Sequence, residues 1–304
     1  MVIEPFLRRL YYRDPILMDR ILFSLPVHDR PDIVRDQIEN INYFCPGSFI
    51  CLHVAEGAAA SRDEFARACD FENVVLNPHS LGFTLSDGLM HTHVSNFLHM
   101  LDTGLPFDKV VLISSDEMLV KDGLGDYVSR YPLGVHAEVL DLATDWGVFN
   151  PELLQTAAMQ GFLKTLGLPL FFGGQAEGQF FSKSIFGLLT KLFMENFPMK
   201  PCGFPTEQVI GPTMAARYFV THTNGVPPVT LSNKSNTLAI SNEVIAQVRS
   251  GKGTIFAKRR PGALRSPHIG ASVLKGVFGV THVPREDCDL RRHIRSLMIQ
   301  DATR

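Results

Sequence analysis

Short apolar runs alternate with amphipathic stretches along the N-terminal part of the chain. Uninterrupted apolar runs are typical of strands that a sheet buries on both faces. Four runs approach this pattern, each with one or two polar residues: Ile21–Val27, Ser48–Ala55, Asn73–Leu76 and Lys109–Ser114. Because helical patterns separate them, the order predicts an α/β fold with a doubly wound, mostly parallel sheet and helices on both faces.

Three helices are predicted between these strands. The first has Asp32 as a candidate cap. Its apolar stripe is Ile33, Val34, Ile38 and Ile41. The other two cover Arg62–Cys69 and Ser86–Leu101. Sheets of this kind bind ligands at the carboxyl ends of their strands. We therefore expect a site in the loops that follow the strands: His28–Pro31, Ala55–Gly57, Pro78–Thr84 and Ser114–Glu117.

The second half of the chain has a less regular pattern. The spacing predicts a helix over Phe180–Phe193, a loop entering a helix over Pro205–Tyr218, and a loop over Gly225–Asn236. The absence of a repeat or a clear linker predicts one fused domain. Residues 249–304 carry 12 Lys and Arg against 4 Asp and Glu, whereas the rest carries 17 against 27. This basic segment indicates either an anion site or a solvated tail, which we expect over Arg285–Arg295.

Composition and cysteine usage are those of an ordinary globular protein in a reducing compartment. Hydrophobic residues make up 45% and charged residues 20% of the chain. The five cysteines form no CxxC pair, which argues against a zinc ribbon or a disulfide scaffold. Arginines interrupt every apolar run near the N-terminus, so we expect neither a signal peptide nor a membrane span, and a cytoplasmic location. Phe6–Leu22 fits either an amphipathic helix on an anionic membrane or a helix packed on the domain.

Several segments together resemble the core-2/I-branching N-acetylglucosaminyltransferase family, which includes the peptide-O-xylosyltransferases. The similar segments occur in the family's order. They are Leu22–Pro31, Ile50–Val54, Leu112–Val120, Gly178–Lys183, Pro205–Glu207 and Ile255–Arg259. The chain departs from the family pattern at Ala55, where the family has a nucleotide-contacting Asp, and at Gln179 and Thr206.

The resemblance implies a distant member of that family with a GT-A-like fold. Residues 1–125 would then bind the nucleotide sugar, and residues 126–304 the acceptor. The implied activity is inverting, metal-independent transfer from a UDP-sugar, with N-acetylglucosamine or xylose expected, to a hydroxyl of a glycan or lipid-linked glycan. We expect no nucleic-acid partner and no cofactor. Contact with the inner membrane face through the N-terminal helix is a further expectation.

Glycosyl transfer needs a base for the acceptor hydroxyl and positive charge for the departing diphosphate. The resemblance gives the role of base to Glu207. Glu177 is the reserve, because Gly173, Gly174 and Gly178 allow close ligand approach around it. The expected donor-binding residues are His28, Arg30, Asp116, Lys258, Arg259 and Arg260. The expected acceptor-binding residues are Glu177, Gln179 and Trp146.

Two alternatives stay open at this stage. One is a metal-dependent transferase that uses Asp116 and Glu117, because hard cations take carboxylate oxygens. The literal Asp-x-Asp at residues 287–289 follows no apolar strand, and we interpret it as chance. The other alternative is a protein that binds nucleotide or glycan without turnover, which the replacement at Ala55 favours.

Overall fold

The computed structural model describes residues 19–82, 88–140, 151–218, 226–232, 239–256 and 271–301. The strands are β1 (Ile21–Val27), β2 (Phe49–Val54), β3 (Val74–Leu76), β4 (Lys109–Leu112), β5 (Met118–Leu119), β6 (Leu133–Gly134), β7 (Glu138–Leu140), β8 (Phe171–Gly173), β9 (Phe180–Ser182), β10 (Thr230–Leu231), β11 (Thr254–Phe256), β12 (Ala271–Val273) and β13 (Gly279–Val280). The helices are α1 (Pro31–Phe44), α2 (Arg62–Ala68), α3 (Met90–Asp102), α4 (Leu124–Ser129), α5 (Ala157–Leu166), α6 (Lys183–Asn196), α7 (Ile210–Tyr218), α8 (Asn242–Ser250) and α9 (Asp289–Asp301). Single 3-10 turns cover Pro151–Gln155, Thr206–Gln208 and Leu274–Gly276.

A six-stranded sheet in the order β3-β2-β1-β4-β9-β6 forms the centre of the fold. The first four strands are parallel, with Phe23 of β1 opposite Ile50 of β2 and Val111 of β4. Strand β9 runs antiparallel to both β4 and β6. The predicted mostly parallel α/β sheet is therefore confirmed.

Apolar side chains on both faces of β1 explain why its sequence shows no polar alternation. Phe23 and Leu25 belong to one core, with α1, α2, α8 and α9, whereas Leu22 belongs to a second core with α3, α6 and α7. Successive side chains of a strand point to opposite faces, so a strand covered on both sides is apolar throughout. Helices on both faces confirm the doubly wound arrangement.

The first helix begins differently from the prediction. Its N-cap is Arg30, at φ 49°, and Pro31 occupies the first helical position. Asp32 lies within the first turn, and its carboxylate accepts hydrogen bonds from the Arg30 guanidinium. Asp32 is therefore not the cap, because its oxygens are taken by Arg30.

The predicted helix over Phe180–Phe193 is wrong at its start, because Phe180–Ser182 forms β9. Phe180 packs in the first core and Phe181 in the second, as strand geometry requires. The helix begins at Lys183, after Ser182 accepts a hydrogen bond from the Ile185 amide as its cap. The loop predicted over Gly225–Asn236 likewise contains a strand, β10.

The C-terminal segment is folded, not the tail that its charge predicts. Arg291 of α9 is fully buried, and its guanidinium forms an ion pair with Asp36 of α1, which also pairs with Arg295. Counting charges along the sequence misses this partner, which is 255 residues away. Asp287 and Asp289 pair with Arg292, which gives both carboxylates of the Asp-x-Asp a structural partner.

Among the described residues, no helix is long and apolar enough to cross a bilayer. The predicted N-terminal helix lies outside the described residues up to position 18, and Ile21 and Leu22 belong to β1.

Candidate active site

The loops that follow β1, β2 and β4 meet at one edge of the sheet because these strands are parallel neighbours. His28, Arg30 and Asp116, three of the predicted donor-binding residues, lie on these loops. The structure adds a contribution that the sequence did not indicate. Residues 282–285, which follow β13, return to this edge and contact both the β1 loop and the β4 loop.

Asp116 and His282 form an ion pair at this edge. His282 Nδ1 lies 3.3 Å from Asp116 Oδ2, and the Ser114 hydroxyl donates to Asp116 Oδ1. Burial alone would raise the pKa of Asp116, but the hydrogen bonds from His282 and Ser114 outweigh it and lower that pKa. The same contact raises the pKa of His282. The pair therefore favours a carboxylate beside a protonated imidazole.

His282 also has an unusual backbone conformation. Its φ of 58° lies in the left-handed region, as does that of Arg30 at 49°. Among the described residues other than glycine, these are the two with positive φ. Such conformations persist where surrounding contacts enforce them, and they are frequent at functional sites. Both residues lie at the same edge of the sheet.

Arg285 links the two neighbouring loops. Its guanidinium donates to the Ser115 carbonyl at 3.2 Å and to the Asp29 carbonyl at 2.7 Å, and it pairs with the Asp29 carboxylate. Arg30 Nη1 donates to the Arg285 carbonyl at 3.2 Å. His28 is exposed, with Nε2 3.6 Å from Asp29.

Glu117, the chain neighbour of Asp116, is buried. It is 4% exposed, and its Oε1 accepts hydrogen bonds from the Ser114 amide and hydroxyl. Burial, with the nearby charge of Glu177, raises its pKa well above the ordinary value. The Ser114 hydroxyl bonds both Asp116 and Glu117, so the two carboxyl groups of the metal-dependent alternative lie close to each other. Among the described residues, no group of three or more His, Cys, Asp or Glu side chains is arranged to hold a metal ion.

Glu207 lies in the 3-10 turn before α7, and its side chain accepts a hydrogen bond at the N-terminus of α3. Its Oε2 accepts the Leu89 amide at 2.8 Å, and the Thr206 hydroxyl accepts the Met90 amide at 3.1 Å. These amides belong to the first turn of a helix, where no intrahelical partner exists. Glu207 is 1% exposed, and burial raises its pKa to about 7, with a further contribution from the charge of Glu177. Its Oε1 has no hydrogen-bond partner among the described residues.

Glu177 lies on a tight turn between β8 and β9. The turn needs glycine at Gly178, because φ is +73° and a Cβ would lie 2.5 Å from the Thr230 amide nitrogen. Gln175 holds the turn by donating to the Glu177 and Thr230 carbonyls. Glu177 is half-buried, and its charge acts on Glu117, Glu207 and His282. Glu177 is therefore within electrostatic range of all three groups.

The remaining predicted residues fall into two groups. Gln179 is fully buried, and its amide donates to the Gln175 and Glu207 carbonyls, so its side chain joins two loops of the fold and is not open to an acceptor. Trp146 and the basic residues Lys258, Arg259 and Arg260 lie outside the described residues.

The sequence missed Asp29, His282 and Arg285. His282 and Arg285 are far from Asp116 along the chain and lie in or next to the segment expected to be a tail. The available signal was the excess of positive charge after residue 249.

Comparisons with known proteins give structural likeness alone. No family model matches the chain, so its resemblance to the core-2/I-branching family stays a prediction. No curated protein matches it either. The chain is similar to the crystal structure of galactosyltransferase LgtC in complex with donor and acceptor sugar analogues, at 11% identity, with 92% of this chain and 95% of that chain covered and a TM-score of 0.39. It is similar to the structure of an active-site mutant of LgtC at 12% identity, with the same coverage and a TM-score of 0.38.

Proposed function

We propose that this chain is a glycosyltransferase that moves a sugar from a nucleotide-activated donor to a hydroxyl of a glycan. One observation carries the proposal. At the carboxyl edge of four parallel strands, Asp116, His282 and Arg285 converge from distant parts of the chain, with the carboxyl groups of Glu177 and Glu207 nearby. This edge is where open α/β sheets bind their ligands.

The donor site is proposed over the β1 and β4 loops. Asp116 faces ribose or sugar hydroxyls, because a carboxylate readily accepts the hydrogen bonds that hydroxyl groups donate. The exposed side chain of His28 flanks the nucleotide. The imidazole of His282, whose pKa is raised by Asp116, contributes positive charge beside the diphosphate in its protonated form. Lys258, Arg259 and Arg260 keep their proposed role in binding the diphosphate. The Arg guanidinium groups match phosphate oxygens in pairs, and the Lys ammonium adds a positive charge. UDP is the proposed nucleotide, and N-acetylglucosamine or xylose the proposed sugar.

Glu207 is the proposed proton acceptor. A pKa of about 7 matches the requirement that a general base titrate near the working pH. The Leu89 amide fixes one carboxyl oxygen and so orients the group, whereas Oε1 is buried without a hydrogen-bond partner among the described residues. In this proposal the acceptor hydroxyl reaches Oε1 only after the side chains that cover Glu207 move aside. Glu177, whose charge acts on Glu207, is the reserve base and an acceptor-binding residue.

Inverting stereochemistry and independence from metal are parts of the same proposal. A metal-dependent enzyme is the alternative. In that alternative Asp116 and Glu117, which share the Ser114 hydroxyl, supply the carboxylate oxygens for the cation. A lipid-linked acceptor, met at the inner membrane face by the arginine-containing segment 6–18, is proposed from the sequence alone.

A panel of nucleotides and nucleotide sugars tests the donor assignment by thermal unfolding. A ligand present at 100 times its Kd stabilises a folded protein by about 2.7 kcal/mol, which raises Tm by a few degrees. We expect UDP and UDP-sugars to raise Tm, with adenine nucleotides as the control. The shifts should persist in EDTA, whereas loss in EDTA and return with Mn²⁺ would contradict metal independence.

A second measurement distinguishes an enzyme from a protein that binds nucleotide or glycan without turnover. Slow hydrolysis of the preferred UDP-sugar, well above background and lost in Glu207→Gln, would exclude a non-catalytic binding protein. A Tm shift with UDP, but no hydrolysis and no transfer to any glycan, would favour it.

A further inference from the structure

The C-terminal segment is attached to the candidate donor site at several points. Strand β13 pairs with β10 on one side and with β5 on the other. Directly after it, the Val283 amide donates to the Asp116 carbonyl at 3.0 Å, and His282 pairs with the Asp116 side chain. The chain then passes over the ends of β4 and β1.

Arg285 is the one described side chain that bonds both strand-end loops. It contacts Ser115 in the β4 loop and Asp29 in the β1 loop, and it is mostly buried there, with 18% of its side chain exposed. Removing water from these groups strengthens their charged hydrogen bonds, and the fork of the guanidinium allows one side chain to hold several acceptors. Arg285 thus joins the two loops beyond the point where the pairing of β1 with β4 ends.

The position of Arg285 is itself fixed by helices α9 and α1. Arg291 Nε donates to the Pro284 carbonyl at 3.2 Å, next to Arg285, while its terminal nitrogen pairs with Asp36 of α1. Helix α1 begins immediately after the β1 loop, and its cap residue Arg30 bonds the Arg285 carbonyl. The contacts form a closed circuit from α1 through α9 and Arg285 back to the β1 loop.

We propose that Arg285 is a positioning residue that presets the donor site by holding the β1 and β4 loops at a fixed separation. The inference rests on the proposed function for its link to the donor. The brace, by which we mean the bonds of Arg285 to both the β1 loop and the β4 loop, is a property of the fold alone. Because the two loops carry His28 and Asp116, a change in their separation would misplace both sides of a bound nucleotide.

The test compares Arg285→Met and Arg285→Lys with Arg292→Met as the matched control. The Lys variant keeps the positive charge but lacks the forked donor geometry of the guanidinium. It can still be measured if the Met variant folds poorly. Arg292 lies on the same segment, is 53% exposed and pairs with acidic residues of its own segment, so its loss should have little effect. The readouts are hydrogen exchange of peptides covering residues 28–34 and 114–119, and calorimetry with UDP.

Both Arg285 variants are expected to exchange faster in these two peptides, with β2 unchanged, and to bind UDP about tenfold more weakly, the effect expected when one charge-assisted hydrogen bond is lost. The control should match the unmodified chain. Unchanged exchange in either folded variant overturns the brace, and faster exchange with unchanged UDP affinity overturns its link to the donor. Failure of the proposed function is a separate result, namely no UDP binding by the unmodified chain, in which case the exchange data alone decide the brace.

Discussion

Glu207→Gln is expected to lower turnover by about 10²–10⁴-fold, the usual contribution of a general base. The amide oxygen of Gln still accepts the Leu89 N–H, so the start of α3 stays capped and the fold is kept. The variant loses the basic oxygen alone. UDP affinity is therefore expected to stay close to that of the unmodified chain. Initial rates of transfer and calorimetry with UDP measure the two effects.

The pH dependence gives an independent check of the Glu207 assignment. Its pKa of about 7 predicts that transfer rises as pH increases through neutrality, because the carboxylate form is the base. Stability should change in the opposite direction. A raised pKa means that the folded chain holds this proton more tightly, so the contribution is full below the ordinary pKa and is lost as pH rises through about 7. Glu207→Gln should remove this loss of stability.

Glu177→Gln is the matched comparison, since it changes the neighbouring carboxylate in the same way. We expect a smaller loss of turnover, and a fall in the pKa of Glu207 because a nearby negative charge is gone. If Glu207→Gln keeps the turnover of the unmodified chain and Glu177→Gln does not, Glu177 is the base.

Asp116→Asn is expected to reduce kcat/KM by about 10²-fold, as for the loss of a charged hydrogen-bond partner worth about 3 kcal/mol. The substitution keeps the shape of the side chain but removes the charge that contacts His282. The pKa of His282 should therefore fall, which NMR titration measures directly. The reduction is expected in UDP affinity as well as in turnover, which distinguishes it from Glu207→Gln.

Asp122→Asn provides the control for this substitution. Asp122 is exposed and lies shortly after β5, so its neutralisation changes the net charge equally without affecting the edge of the sheet. Equal kinetic effects of the two substitutions would mean that Asp116 acts through long-range charge alone and has no specific role in the site.

The sequence alone was sufficient to predict the sheet edge that holds the candidate site. Strands β1, β2 and β4 have apolar side chains on both faces, so their sequences are mostly apolar and the polar residues that follow mark where each strand ends. Parallel pairing then places His28 and Asp116 at the same edge without further information. The predictions of the strands and of the loops that follow them depend only on patterns of neighbouring residues in the sequence.

The parts that were missed depend on contacts between distant residues. The two aromatic side chains of Phe180 and Phe181 fit a helix as well as a strand, and only pairing with β4 and β6 decides between them. The sequence around Arg291 indicates a basic, exposed segment. The burial of Arg291 follows only from its ion pair with Asp36, a residue distant in the chain. Glu207 was found through a family resemblance, but its partner, the first turn of α3, belongs to another part of the chain.

A crystal structure of the chain with bound UDP tests the central claim most directly. The nucleotide is expected at the carboxyl edge of β1, β2 and β4, within contact distance of His28 and Asp116, and with its diphosphate toward His282. UDP bound elsewhere on the molecule, or no bound UDP at saturating concentration in crystals that leave this edge open, would contradict the account.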